Sequence, residues 1–366
     1  MELLNKLILI TGANGFIGGR LAERLIADEG ARVRGLVRDV TRVGARHSQD
    51  HLSLRNHLPI ENDVQSSNSI LANASPLRDA EIMIGDVTDA DVVRRAMDGC
   101  DAVVHCAAMQ SGRAHLDEYR RVNVGGTLNL LRAAREANVE RFIHISTINA
   151  HGIPPPRNAN ADSPLSFRGD FYSVSKAEGE RAAREFANAN NLPLVVIRPG
   201  CTYGPRSQAW TLSPLARVRR GAPVLIGGGN GICNAVYIDN LVDLIMLAMK
   251  NDAAIGLAFI GTEGRGVTWR EFYGAYARML GGKQLHARSV SRAFALTVTT
   301  GFEWLAKLTG YPPRIARSSI EFYSHQVVFD ISNATRLLGY QARISFEEGM
   351  ARTERWLSES GYLNDT

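Results

Sequence analysis

KLILITGANGFIGGR, residues 6–20, is the stretch that decides the fold. Leu7, Ile8, Leu9 and Ile10 form an unbroken apolar run, which suits a central strand of a parallel sheet covered on both faces. Gly12, Gly15 and Gly18 follow at even spacing, and Arg20 to Leu25 then carries apolar residues at helical spacing. Strand, glycine turn and helix in that order make a pyrophosphate site. The glycines let the backbone turn tightly and approach the anion, and the helix N-terminus directs its free N–H groups at it. A glycine triplet alone is a weak signal; here the flanking strand and helix supply the context that a dinucleotide site requires.

Moving outward, RVRGLVR (32–38) reads as the second strand, whose end meets the adenosine ribose. An acid there would hydrogen-bond the 2′-hydroxyl of NAD, whereas an arginine accommodates the 2′-phosphate of NADP. The chain offers Val37 and Arg38 and no acid before Asp39, so NADP is the expected cofactor and NAD the alternative. Residues 41–76 are polar and lack sustained periodicity, which predicts an insertion or a flap near the adenosine end. His47 and His51 stand one helical turn apart within it, but no third ligand accompanies them, so no metal site is expected. Alternation resumes with a strand over 81–87, a helix over about 90–98, a strand at 102–105, a long helix over 119–138 and a strand over 141–146. Strands alternating with helices through the first 200 residues predict an α/β fold with a Rossmann-type doubly wound parallel sheet.

A chain of 366 residues can bury one large core and a smaller appended lobe. Its net charge of +5 is spread over scattered arginines, which argues against a nucleic-acid partner. Cys100, Cys106, Cys201 and Cys233 contain no CxxC pair and sit in apolar or glycine-rich surroundings, the pattern of buried thiols in a reducing compartment. The N-terminus runs straight into a strand, not into a signal peptide, and a cytoplasmic location is expected. No apolar run reaches the roughly 18 to 20 residues of a membrane span.

The chemistry lies further on. Ser146-Thr147 closes a strand at the carboxyl edge of the sheet, where ligands bind in open α/β folds. Tyr172 and Lys176 open a helix four residues apart and so share one face. A phenol is a poor acid–base at neutral pH, and an adjacent ammonium is expected to lower its pKa by favouring phenolate. A threonine hydroxyl aimed at the same substrate oxygen completes a site for moving a proton on or off an alcohol while hydride leaves or reaches its carbon.

TGANGFIG (11–18), GDVTD (85–89), VVHCAA (103–108), VNVGGTLNLL (122–131), HIST (144–147), YSVSK (172–176) and RPGCTYGP (198–205) occur in this order. Together they resemble the extended short-chain dehydrogenase/reductase superfamily, of the NAD(P)-dependent epimerase/dehydratase type. The resemblance implies Tyr172 as catalytic acid–base, Lys176 as holder of the nicotinamide ribose, and Thr147 as the residue polarising the substrate oxygen. It places Gly12, Asn14, Gly15, Phe16, Ile17 and Gly18 on the pyrophosphate, with Arg38, Asp86 and Val87 toward the adenosine. Ala107, Asn123, Pro199 and Gly200 fall on the nicotinamide side. Met109, Ser146, Asn149, Cys201 and Cys233 are expected along the substrate. The family often dimerises through the helices beginning near Tyr119 and at Tyr172, so a homodimer is expected.

Departures from the family pattern narrow the substrate. Sugar-nucleotide dehydratases place Asp-Glu after the Ser-Thr, where this chain has Ile148 and Asn149. Nucleotide-sugar enzymes usually carry Asn where Cys201 stands, and an Arg ahead of Val236-Tyr237-Ile238, where this chain has Ile232-Cys233-Asn234. Two missing charged contacts, each worth roughly 1.5 to 3 kcal/mol, would weaken a diphosphate site; Arg206, Arg217 and Arg265 are the candidates to compensate. AFALTVTTGFEWLAKL (293–308) is apolar but broken by charge, and predicts a packed helix, a lid over an apolar substrate or an interfacial helix touching membrane. A comparable apolar region occurs in the 3β-hydroxysteroid dehydrogenase-like branch, and VRGLVRD resembles the NADP-using dihydroflavonol-reductase branch. The expected division is a cofactor domain of residues 1–200 and 235–262, and a substrate lobe of 201–234 and 263–366. The expected reaction is hydride transfer between NADP(H) and an apolar or cyclic secondary alcohol or ketone; the alternative is a nucleotide-sugar epimerase or 4-ketoreductase.

Overall fold

β1 (Leu7–Thr11) lies inside a seven-stranded sheet, with β2 (Arg32–Val37) and β3 (Glu81–Ile84) on one side. On the other side follow β4 (Ala102–His105), β5 (Arg141–Ile145), β6 (Leu194–Pro199) and the edge strand Ala258–Gly261. The structure, a computed structural model, describes residues 1–38, 77, 79–110, 115–221, 223–282, 285–309 and 317–363. Asp39 and the expected insertion with His47 and His51 lie outside the described residues.

Every neighbouring pair in the sheet is parallel. The physical reason is visible in β1: Leu7 and Leu9 pack into one core, and Ile8 and Ile10 into the core on the opposite face. Val103 and Val104 of β4, Phe142 and Ile143 of β5, and Val195 and Val196 of β6 divide in the same way. Strand order reverses between β1 and β4, which opens a crevice at their carboxyl ends.

The long helix expected over 119–138 comes in three pieces, Leu116–Arg120, a π-helical stretch Arg121–Gly126, and Thr127–Glu136. Such wide turns often mark functional positions. Beyond β6 the chain builds small two-stranded sheets. Cys201–Tyr203 pairs with Ala235–Tyr237, Ile232–Cys233 with Val267–Thr268, and Val224–Ile226 with Arg288–Val290. Helix Trp269–Met279 starts on the capping box that the sequence signals, Thr268 with Glu271. Trp269 and Phe272 anchor an aromatic cluster with Trp210, Tyr273 and Phe322. Helix Arg292–Thr309 covers the expected 293–308 stretch; Phe294 on it is 61% exposed, whereas Ala295 packs with Ile226 and Ile320. Among the described residues no helix is long and apolar enough to cross a membrane.

Candidate active site

The glycine turn fits an anion. Gly12 adopts φ +66°, and the Gly15 N–H donates to its carbonyl at 2.8 Å. Helix Phe16–Glu29 then begins with Gly15 as a cap that offers no side chain, and with no acid in its first turn. Its leading N–H groups are therefore available to pyrophosphate. A Cβ on Gly12 would stand 3.1 Å from the Ala107 backbone, so the turns after β1 and β4 line one crevice. Arg38 is exposed at the end of β2; Asp86 follows β3, where its carboxylate accepts the Thr88 N–H at 2.8 Å.

A buried chain of hydrogen bonds sets this crevice. The Ala107 N–H donates to Thr11 Oγ1 at 3.1 Å, and Thr127 Oγ1 donates to the Asn123 carbonyl at 2.8 Å. His105 lies between the two threonines, Nδ1 at 2.8 Å from Thr11 Oγ1 and Nε2 at 3.0 Å from Thr127 Oγ1. Because the Thr127 proton is already committed, His105 donates from Nε2 and accepts at Nδ1. Burial and the Lys176 ammonium pull its pKa down to about 3, which keeps the ring neutral.

Tyr172 and Lys176 stand on helix Phe171–Asn190, which Asp170 starts by accepting the Ser173 N–H at 2.9 Å. Thr147 caps the short helical turn Ile148–His151, accepting the Asn149 N–H at 3.2 Å. The turn brings Thr147 toward Tyr172, whose phenol has the side chains of Thr147 and Gln110 near it. The Lys176 ammonium, 3% exposed, donates to the Ile145 carbonyl at 2.6 Å. Burial brings its pKa down to about 8, against the opposing pull of Glu180.

Several expected roles change. The phenol of Tyr172 is pushed up to about 12 by burial, not down: the nearby Thr147 and Gln110 side chains oppose that rise without overcoming it, and Lys176 is engaged at Ile145. Asn123 is spent on protein. Its Oδ1 accepts the Met109 N–H at 2.8 Å, and its Nδ2 donates to the Met109 carbonyl and to Ser175 Oγ. It therefore shapes the site by fixing the Met109 backbone at both its N–H and its carbonyl. Ser146 is buried, and its hydroxyl has no hydrogen-bond partner among the described residues. Cys233 has no exposed surface and Cys201 only 3%; both belong to the core that also holds Ile8 and Ile10, because their strands are covered. Cys106, by contrast, is partly exposed. Gly200 is held where a Cβ would meet the Asn234 carbonyl at 2.2 Å, so the Pro199-Gly200 turn is closely seated.

Sequence reasoning missed Gln110, His105 and a buried ion pair behind the site. Arg198 Nε and Nη2 reach the two Glu180 oxygens at 3.0 and 2.5 Å, and Arg184 Nε reaches Glu180 at 3.0 Å. Arg198 Nη1 also donates to His151 Nε2 at 3.0 Å, which leaves His151 Nδ1–H for the Pro164 carbonyl at 3.2 Å. The signal in the sequence was slight: Glu180 follows Lys176 by one turn and Arg198 precedes Pro199, with nothing to say that they meet. Burial holds His151 down to about 4, and the two arginines hold Glu180 down to about 2 against its burial. The unfolded chain takes up protons at these histidines near pH 6.5 and at Glu180 near 4.5, before the folded one does. Melting temperature is therefore expected to fall steadily as pH drops from 6.5 toward 4; a flat profile in calorimetry would contradict the buried network. Among the described residues no group of acidic, histidine and cysteine side chains is placed to hold a metal ion.

The model of the family described as "NAD dependent epimerase/dehydratase family" matches residues 8–258. The chain belongs to this family. It is an enzyme of the extended short-chain dehydrogenase/reductase type. Among curated members, a 3 beta-hydroxysteroid dehydrogenase/Delta 5-->4-isomerase of Mycobacterium tuberculosis is 27% identical over 94% of this chain and 88% of its own length. A UDP-glucose 4-epimerase of Vibrio cholerae is 26% identical over 95% of this chain and 94% of its own. The solved dTDP-glucose 4,6-dehydratase DesIV of Streptomyces venezuelae, with NAD and TYD bound, superposes with a TM-score of 0.72. That superposition covers 97% of this chain and 98% of DesIV; at 24% identity it speaks for the fold alone.

Proposed function

We propose that this family member is an NADP(H)-dependent oxidoreductase that transfers hydride between nicotinamide and a largely apolar or cyclic secondary alcohol or ketone. The observation that carries the reading is the Tyr172 phenol with the Thr147 side chain near it, one helical turn from the buried Lys176. Bound nicotinamide supplies or accepts the hydride. Thr147 holds the substrate oxygen beside the phenol, and Tyr172 gives or takes the alcohol proton. Lys176, held at the Ile145 carbonyl one helical turn away, is the residue that would hold the nicotinamide ribose.

Against a sugar nucleotide stand three arginines with partners inside the protein. Arg206 pairs with Glu23 at 2.6 Å, Arg265 with Glu347 at 2.8 Å, and Arg217 bonds the Tyr273 hydroxyl at 3.3 Å. Each would have to leave its partner to meet a diphosphate, and Ile148 and Asn149 offer no acid for elimination. The hydroxysteroid dehydrogenase relative supports this side and the UDP-glucose 4-epimerase relative supports the other, so the deciding experiment sets them against each other. The purified protein is assayed for retained NAD, for binding of UDP and dTDP, and for turnover on a panel of cyclic and secondary alcohols and ketones. Turnover with added NADP(H) and no UDP or dTDP binding is expected; tightly retained NAD with UDP binding would establish the epimerase instead.

NADP preference is ascribed to Arg38. Arg38→Ala is expected to weaken NADP at least about tenfold, the loss of a charge-assisted phosphate contact, and to leave NAD within about twofold. An unchanged NADP-to-NAD ratio in titration calorimetry would remove Arg38 from the site. A homodimer through the helices beginning at Leu116 and Phe171 belongs to the same reading, with Phe171 exposed against Tyr119 and Phe167 exposed under the Arg181 guanidinium. Sedimentation at the monomer mass would contradict it.

A further inference from the structure

Asn123 stands in the π-helical stretch Arg121–Gly126 and meets the helix that carries Tyr172, Phe171–Asn190, at two points one helical turn apart. At the first, its Nδ2 donates to Ser175 Oγ at 2.9 Å, and the same hydroxyl donates to the Tyr172 carbonyl at 2.9 Å. At the second, the two backbones touch: a Cβ on Gly179 would stand 2.5 Å from the Asn123 carbonyl oxygen. That oxygen is backbone and cannot step aside, so the approach requires glycine. It also accepts Thr127 Oγ1, which His105 ties to Thr11, directly before Gly12. The Asn123 amide further holds Met109, two residues past Ala107. One residue, 1% exposed, thus grips both walls of the site: the turn after β4 and the helix of Tyr172. Each link from Thr11 to the Tyr172 carbonyl measures between 2.8 and 3.0 Å, and a buried network satisfied in this way is rigid.

We propose that Ser175 and Gly179 are positioning residues: together they seat the Tyr172 helix on the wide turn at Asn123 and so fix where the phenol stands relative to the cofactor crevice. The inference rests on Tyr172 being the acid–base of the reaction proposed above. A π-helical turn is a rare departure from the α-helix that recurs at functional positions, and here it falls at the seat. A contact that served cohesion alone would show itself in melting temperature. A seat shows itself in the rate, because a displacement of even 1 Å takes reacting groups out of alignment.

Two variants disturb the seat in opposite ways. Ser175→Ala removes the pin and keeps a strong helix former. Gly179→Ala keeps the pin and drives a methyl group between the backbones, which must part until it no longer stands 2.5 Å from the Asn123 oxygen. In each, kcat is expected to fall about tenfold or more. Affinity for ADP, which has no nicotinamide half and lies on the glycine turn alone, is expected to stay at its wild-type value. Rates are referred to the ADP-binding fraction, so partial unfolding does not count as lost turnover. Hydrogen exchange without substrate gives a second measure: the backbone amides of residues 174–176 should exchange about tenfold faster in Ser175→Ala, and those of 183–190 at the wild-type rate. A wild-type kcat in either folded variant, or unchanged exchange in Ser175→Ala, overturns the proposal. Should Gly179→Ala fail to fold, Ser175→Ala alone decides. Absence of turnover in the wild-type protein would defeat the proposed reaction while leaving the exchange rates to judge the seat.

Discussion

Tyr172→Phe is expected to lower kcat by about 10²- to 10⁴-fold, the contribution of a positioned general acid–base, while cofactor affinity changes less than about threefold. The reasoning starts from the phenol's surroundings. Burial pushes its pKa up to about 12, so at neutral pH the group carries its proton, with the Thr147 and Gln110 side chains nearby. Phenylalanine keeps the ring and its packing on helix Phe171–Asn190 and removes only the oxygen, so the glycine turn, which belongs to β1 and its helix, is untouched. Stopped-flow reduction together with a fluorescence titration of the cofactor separates the two quantities. Equal losses in both would move Tyr172 from proton transfer to cofactor binding.

The second large effect concerns the glycine turn. Gly18→Ala is expected to weaken cofactor binding by about 100-fold or more, equivalent to about 2.7 kcal/mol. A Cβ there would stand 2.5 Å from the Gly12 carbonyl oxygen, 3.0 Å from its carbon and 3.1 Å from Ala13 Cα. All three are backbone atoms, so no side chain can step aside; the turn itself must open, and the N–H groups at the head of helix Phe16–Glu29 would no longer converge on one anion. Calorimetric titration of NADP and NAD below the melting temperature of the variant checks it. Wild-type affinity would mean that the cofactor's phosphates do not lie on this turn.

Much of the architecture was legible because it rests on local pattern. The apolar run at Leu7 to Ile10 announces burial on both faces, and the two cores that receive its alternate residues are the physical counterpart. The capping box at Thr268 and Glu271 is equally local and formed as read. Readings that depended on distant partners fared worse. Asn123 was placed toward the cofactor by motif, yet Met109 and Ser175 consume its hydrogen bonds. Cys201 and Cys233 were placed at the substrate because they replace residues that usually touch it, and instead they fill the core, since no local feature reports how deeply a strand is covered.

The pKa of Tyr172 makes the division plain. Spacing alone puts Lys176 on the same helix face, and a pairwise view then lowers the phenol. In the folded protein the ammonium turns to the Ile145 carbonyl and desolvation dominates, so the phenol rises. By itself, then, the sequence determined the parallel sheet, the pyrophosphate turn and the residue types that do the chemistry, because periodicity, glycine placement and helix spacing are properties of neighbouring residues. Only the tertiary structure decided which of those groups are charged and what they face. Burial and the meeting of Glu180 with Arg198, eighteen residues away, arise when separate elements pack, and desolvation acts on a group only once that packing is complete.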